Sequence, residues 1–287
     1  MEEEAFYNVR LAMIKQKYTQ LDRPIIVESV RMETIHEAIE DIQNAEKEGA
    51  QAFLVHLELL KDTERTLEGM ERIFAATNLP IMALNYRAKD GSEDASVDEK
   101  RAELLIESIK CGASMIDVWG DMFDYDSVES LTNCAQGFAT ARPKEISMRE
   151  SCVQKQKALI EKAHELGAEV LMSAHVGTEL SCEQAISLAK EIESRGADIV
   201  KIITTCDSKE HIPVILQTIM ELKKHLRVPY MYQCGGKYGK IVRPIAPFFG
   251  SIFALCHLKY GAVTFPEKPL LADVKEVFRI FDRGVEE

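Results

Sequence analysis

GAEVLMSAHVGTELSCEQAISLAKEIESRGADIVKII, residues 167–203, decides the fold. It opens on Gly167-Ala168, runs through the apolar Val170-Leu171-Met172-Ser173, crosses a short polar turn, continues as the amphipathic Glu183 to Arg195, and meets a second pair, Gly196-Ala197, before the apolar Ile199 to Ile203. The text reads strand, turn, helix, strand with no residue to spare. The two glycines are 29 residues apart, about one βα unit. Glycine suits the turn that ends a helix because it takes positive φ without strain.

The same punctuation recurs at Gly49-Ala50 and Gly112-Ala113. Working outward, apolar runs predict strands at Ile25 to Ser29, Ala52 to His56, Ile81 to Asn85, Met115 to Val118, Val170 to Ser173, Ile199 to Ile203, Tyr230 to Gln233 and Phe253 to Leu258. Amphipathic runs predict helices between them, among them Thr34 to Glu48, Val97 to Lys110, Gln154 to Leu166, Glu183 to Arg195, Lys209 to His225 and Ala272 to Phe281. Eight strands alternating with helices in one chain mean an α/β fold, a closed (βα)8 TIM barrel over 25–287 with an N-terminal extension, 1–24, that closes the barrel bottom. The rival is an open doubly wound sheet. No GxGxxG follows the first strand, and Gly235-Gly236-Lys237-Tyr238-Gly239 lies late and lacks P-loop spacing. The long connection Trp119 to Glu150 follows the fourth strand, where barrel loops build active sites, and is a candidate lid or a packed surface helix.

With 287 residues and 46% hydrophobic composition the chain can bury a large core. A net charge of -12 offers nothing to phosphate backbones or anionic membranes, which leaves a small molecule as the expected partner. Cys111, Cys134, Cys152, Cys182, Cys206, Cys234 and Cys256 include no CxxC pair, and the charged N-terminus lacks a secretory core, so reduced thiols and a cytoplasmic location are expected. The longest apolar stretch, Ile245 to Leu258, is too short for a bilayer and is broken by Pro247 and Gly250. Analogy with other barrels makes a homodimer the default.

Lys201 sits inside an otherwise apolar strand. A lysine pointing into a barrel is desolvated, which frees its amine to attack a carbonyl; the plainer reading is a lysine that snorkels or pairs with a carboxylate. His175 ends the strand just before it, on the face where barrels do chemistry. Adjacent strands lie about 5 Å apart, so both side chains reach one ligand, the imidazole moving the proton next to an imine. Arg87, after the third strand, and Arg243, after the seventh, suit a substrate carboxylate, or else surface ion pairs. His56, Glu58, Asp117, Asp121 and His175 are an alternative ligand set for a divalent ion, though without HxH or HExxH spacing.

At these residues the chain resembles type I 3-dehydroquinate dehydratase, a Schiff-base barrel enzyme of the shikimate route. The similarity covers about residues 24–282. It is clearest in Val170-Leu171-Met172-Ser173-Ala174-His175, in Gly196-Ala197-Asp198-Ile199-Val200-Lys201-Ile202, and in Gly236-Lys237-Tyr238-Gly239-Lys240-Ile241-Val242-Arg243 followed by Phe249-Gly250-Ser251. The resemblance implies that Lys201 forms the imine, His175 shuttles the proton, Arg243 and Arg87 bind the substrate's carboxylate and polar groups, Asp117 orients the histidine, and Asp90 stands near the family's loop glutamate. It implies no exchangeable cofactor and no metal. Where the family has an acid and an arginine on its second strand, this chain has Leu54 and His56, the latter kept as a substrate contact. The family's late loop carries a serine and a glutamine, whereas here it reads Thr264-Phe265-Pro266-Glu267-Lys268-Pro269.

The expected activity is a Schiff-base lyase that dehydrates a keto acid, 3-dehydroquinate first, to 3-dehydroshikimate. The alternatives are an aldolase or dehydratase acting on another keto acid through the same lysine, and a non-catalytic barrel that binds a metabolite.

Overall fold

The structure, a computed structural model, describes residues 16–86, 96–124 and 146–283. Its strands are β1 (Ile25–Val30), β2 (Ala52–His56), β3 (Ile81–Leu84), β4 (Met115–Trp119), β5 (Glu169–His175), β6 (Ile199–Thr205), β7 (Tyr230–Gly235) and β8 (Phe253–Cys256). Each begins within a residue or two of its predicted start, because a parallel strand buried on both faces reads as a continuous apolar run. The strands are all parallel, in the order β7-β6-β5-β4-β3-β2-β1-β8. Bonds from Ile252 N–H to Tyr230 O (2.7 Å) and from Gln233 Nε2 to Phe253 O (3.1 Å) span the remaining seam between β7 and β8. The result is the predicted (βα)8 barrel.

Around it stand α1 (Ile35–Lys47), α2 (Leu67–Phe74), α3 (Ser96–Lys110), α4 (Glu150–Glu165), α5 (Cys182–Ser194), α6 (Ile212–His225), α7 (Gly239–Phe249) and α8 (Leu271–Arg283). Local sequence starts and stops them. Ser181 and Gln184 form a reciprocal capping box at the start of α5, and Gly196, at φ 99°, ends its return to β6 in a conformation other residues avoid. The helix α7 was not among those predicted; Pro244 and Pro247 lie inside it, and each removes a helical N–H and marks a break on paper.

Tyr18, in a 3-10 turn over Tyr18–Gln20, plugs the end of the barrel where the strands begin. It is fully buried, its backbone N–H donates to Glu169 Oε2 at 2.7 Å, and its hydroxyl bridges Phe53 O and Met82 N–H. The described part of the N-terminal extension therefore closes the barrel bottom and leaves the opposite mouth to a ligand. No helix among the described residues is long and apolar enough to cross a membrane. Among the described residues, Cys111, Cys152, Cys182, Cys206, Cys234 and Cys256 form no disulfide.

Candidate active site

Side chains alternate along a strand, so the inward positions of successive strands converge at the mouth. Leu54 and His56 come from β2, Leu84 and Tyr86 from β3 and the residues just after it, His175 from β5, and Lys201 and Ile203 from β6; together with Arg243, Leu255, Phe265, Glu267 and Lys268 they line one cavity with an empty volume of about 440 Å³, counting the part open to solvent.

Pairing of β5 with β6 sets Ser173 beside Lys201 and His175 beside Ile203, so His175 stands just above the lysine. Lys201, 2% exposed, donates to Tyr86 Oη at 2.7 Å and to Asp117 Oδ2 at 2.9 Å. Asp117 is a hub: Oδ2 also accepts from the Tyr86 hydroxyl at 3.1 Å, and Oδ1 accepts from Ser173 at 2.6 Å. The sequence left two readings of this lysine open, an amine freed by desolvation or one that snorkels or pairs with a carboxylate. The structure gives it the ion pair, with a phenol beside it, and places the Asp117 carboxylate to take its proton when the amine attacks.

The contact between Asp117 and His175 runs through Tyr86, whose hydroxyl lies 3.4 Å from His175 Nε2. Asp117 thus acts first on Lys201, and on the histidine by way of the phenol. Burial, with Asp117 and Glu58 as negative neighbours, holds the Tyr86 phenol well above its ordinary range, so it keeps the proton it gives Asp117. Burial and the nearby cations Lys201, Lys268 and Arg243 hold the His175 imidazole well below its ordinary range, leaving it neutral and able to accept a proton. Tyr86 was not singled out in the sequence because an aromatic at a strand end resembles core. It packs as core too, its ring 4.8 Å from that of Trp119 and edge-on to those of His175 (5.3 Å) and His56 (5.7 Å).

Arg243, in α7, is 3% exposed. Its Nε donates to Cys234 O at 2.8 Å and its Nη1 to Gln233 Oε1 at 3.3 Å, which pins the guanidinium against the end of β7 at the cavity wall. This is no surface ion pair. His56 lines the cavity, but its ring nitrogens are already engaged, lying 2.7 Å from Glu58 Oε1, 3.2 Å from Ser29 Oγ and 2.9 Å from Arg31 Nη1. Burial, then Arg31 and Lys268, keep the imidazole neutral, while burial pushes the Glu58 carboxyl up to about 7 against the pull of Arg31. Leu54 faces the cavity, so the β2 wall is apolar where the resemblance implied an acid.

Arg87 and Asp90 fall outside the described residues, as does most of the connection from Trp119 to Glu150. The alternative metal set does not assemble: Asp117 is committed to Lys201 and His56 to Glu58, and no group of three His, Cys, Asp or Glu side chains able to hold a metal ion occurs among the described residues. Besides Tyr86, the sequence reading passed over Lys268 and Arg31. Lys268 reaches in from the loop after β8 and donates to Ser29 Oγ at 2.7 Å, and Arg31 stacks on Phe265, 4.3 Å from its centroid.

Several known proteins are similar to this chain. A protein from Methanosarcina barkeri named 3-dehydroquinate dehydratase is 24% identical over 254 residues, covering 86% of this chain and 92% of that protein. One of the same name from Methanosarcina acetivorans is 25% identical over 252 residues, 86% of this chain and 91% of that one. Among solved structures, 3-dehydroquinate dehydratase from Geobacillus kaustophilus superposes with a TM-score of 0.70 at 17% identity, over 91% of this chain and 92% of that one. The type I enzyme from Clostridium difficile, solved with covalently modified comenic acid, gives 0.71 at 13% identity over 94% and 98%. At such identities the superpositions speak for the fold alone. The sequence model for type I 3-dehydroquinase matches residues 26–142 and 143–284, from the first strand to the last helix, and the chain therefore belongs to the type I 3-dehydroquinase family.

Proposed function

We propose that this protein is a Schiff-base-forming hydro-lyase that dehydrates 3-dehydroquinate to 3-dehydroshikimate. The observation that carries the reading is the buried cluster of Lys201, Asp117 and Tyr86 with His175 3.4 Å from the phenol. Lys201 passes a proton to Asp117 and its nitrogen adds to the substrate ketone; that proton and the one the nitrogen sheds leave with the ketone oxygen as water, giving an iminium. The iminium is the electron sink. Neutral His175 takes the proton from the adjacent carbon, the resulting enamine expels the β-hydroxyl, and His175 hands its proton to that oxygen, so a second water departs. Hydrolysis of the conjugated iminium returns one water to the carbonyl and frees Lys201. The net change is loss of one water, and no redox step or exchangeable cofactor is needed. Arg243 receives the substrate carboxylate in this scheme, with Arg87 and Asp90 as further polar contacts.

Turnover of 3-dehydroquinate, followed by absorbance of the conjugated enone product, tests the assignment. A kcat/KM of about 10⁴ M⁻¹s⁻¹ or above supports it. A value far below that, with the lysine chemistry intact, favours a different keto acid, the reading to which the apolar Leu54 wall points. We further propose a cytoplasmic homodimer whose barrel comprises residues 25–287; described cysteines that form no disulfide fit a reducing compartment, and sedimentation at micromolar concentration tests the assembly.

A further inference from the structure

The cavity holds a second lysine that this mechanism does not use. Lys268 is 7% exposed, lines the same cavity as Arg243, and spends one hydrogen bond on Ser29 Oγ at 2.7 Å. Among the described residues neither Lys268 nor Arg243 has a carboxylate within ion-pair distance. The contrast with Lys201 is direct, since that lysine has Asp117 at 2.9 Å. Two buried basic side chains without counter-ions on one cavity wall, carried by consecutive segments after β7 and β8, form a site that an anion completes.

We propose that Lys268 is the second arm of an anion clamp, and that the carboxylate of the keto acid substrate binds between Lys268 and Arg243. The assignment rests on the Schiff-base reading for the identity of the substrate, but not for the clamp itself. It gives the late loop a function here that differs in kind from a neutral polar closure, because a lysine brings charge as well as a donor.

The surroundings of Lys268 add a consequence. The groups facing it come from every side: Arg31 and Glu28 on β1 and its end, His56 on β2, His175 on β5, Lys201 on β6, Arg243 on α7, His257 after β8, and Glu267 on its own loop. Burial first, then Arg31, Arg243 and Lys201, push the amine well below its ordinary range, and Glu267 only partly opposes them. An arriving carboxylate reverses that balance. Substrate binding then takes up a proton at Lys268, and affinity falls as pH rises through the window between its empty and occupied states.

The test is calorimetry on the whole protein with 3-dehydroquinate and with a hydroxylated cyclohexanone that lacks the carboxylate, for wild type, Lys268→Met and Lys268→Gln, with thermal melts to confirm folding. Losing a hydrogen bond to a charged group predicts that Lys268→Met weakens 3-dehydroquinate binding by about 10- to 100-fold and leaves the carboxylate-free ketone unchanged. Lys268→Gln recovers part of the affinity and none of the proton uptake, read as the dependence of binding heat on buffer ionisation. Equal losses for both ligands, loss for neither, or proton uptake that persists in Lys268→Gln would overturn the clamp. The two readings fail separately. Lys268-dependent binding without any covalent adduct keeps the clamp and removes the Schiff base, whereas an adduct formed by a protein whose affinity ignores Lys268 does the reverse.

Discussion

Replacing Tyr86 by phenylalanine removes one oxygen from the centre of the site and leaves the ring to pack on Trp119, His56 and His175 as before. That oxygen accepts from Lys201 at 2.7 Å, donates to Asp117 at 3.1 Å and lies 3.4 Å from His175 Nε2. Lys201 and Asp117 keep each other at 2.9 Å, so no charge is left alone, and the cost is that of two hydrogen bonds to charged groups, offset by no longer burying a hydroxyl. We expect a stability loss of about 1–3 kcal/mol, which at roughly 2–4 °C per kcal/mol lowers Tm by several degrees. The chemical effect is larger in relative terms. Without the phenol, the attacking amine loses one of its two hydrogen-bond acceptors and its link to His175, and adduct formation should slow by about 10- to 100-fold, the usual scale for one hydrogen bond to a charged group. Rapid-quench trapping with borohydride, read by intact mass, measures that rate apart from product release. Wild-type trapping and turnover in Tyr86→Phe would refute the relay, and a collapse of Tm with unchanged chemistry would assign Tyr86 to packing.

Further outcomes follow from the same geometry. His175→Ala should still form the adduct while turning over at least about 100-fold more slowly, since general acid-base groups supply that much; failure to bind combined with a lower Tm would make the histidine structural. Arg243→Lys should raise KM much more than it lowers kcat, because an ammonium keeps the charge and loses the forked donors, and unchanged kinetics would place Arg243 outside the site. On β1, burial and the neighbouring Asp41 push the Glu28 carboxyl up to about 8. The folded state then holds a proton that the unfolded chain releases near its ordinary 4.5, so stability falls as pH rises through that window, by up to about 1.4 kcal/mol per unit. Glu28→Gln should flatten that slope and melt above wild type at pH 8; an unchanged slope in Glu28→Gln would show that Glu28 ionises normally.

The barrel was legible because its strands are buried on both faces, and Val170 to Ser173 or Ile199 to Ile203 can hardly be anything else. The helix α7 was hidden by its own composition, with Gly239 at its start and Pro244 and Pro247 inside, all of which signal loop when neighbours are out of view. For the site, polar residues interrupting apolar strands could be seen one at a time. Lys201, His175 and Asp117 stand out in that way, and strand order alone brings them together. Tyr86 could not stand out, because its ring satisfies the same packing rule as its neighbours and only the hydroxyl has another use. Lys268 arrives from a loop whose Pro266 and Glu267 suggest a solvated turn, and nothing in the local text says that its side chain turns inward to Ser29. The charge state of these groups was legible least of all. An amine in an apolar strand and one beside a carboxylate look alike in a sequence, and only the structure shows that Lys201 is the paired lysine and Lys268 the unpaired one.

The most direct test of the central claim is to incubate the protein with 3-dehydroquinate and borohydride, measure the intact mass, and map the modified peptide. The account predicts one stable adduct per chain, located on Lys201 and absent from Lys201→Ala, which should also lose turnover. An adduct on Lys268 instead, or a Lys201→Ala protein that still dehydrates the substrate at the wild-type rate, would contradict it.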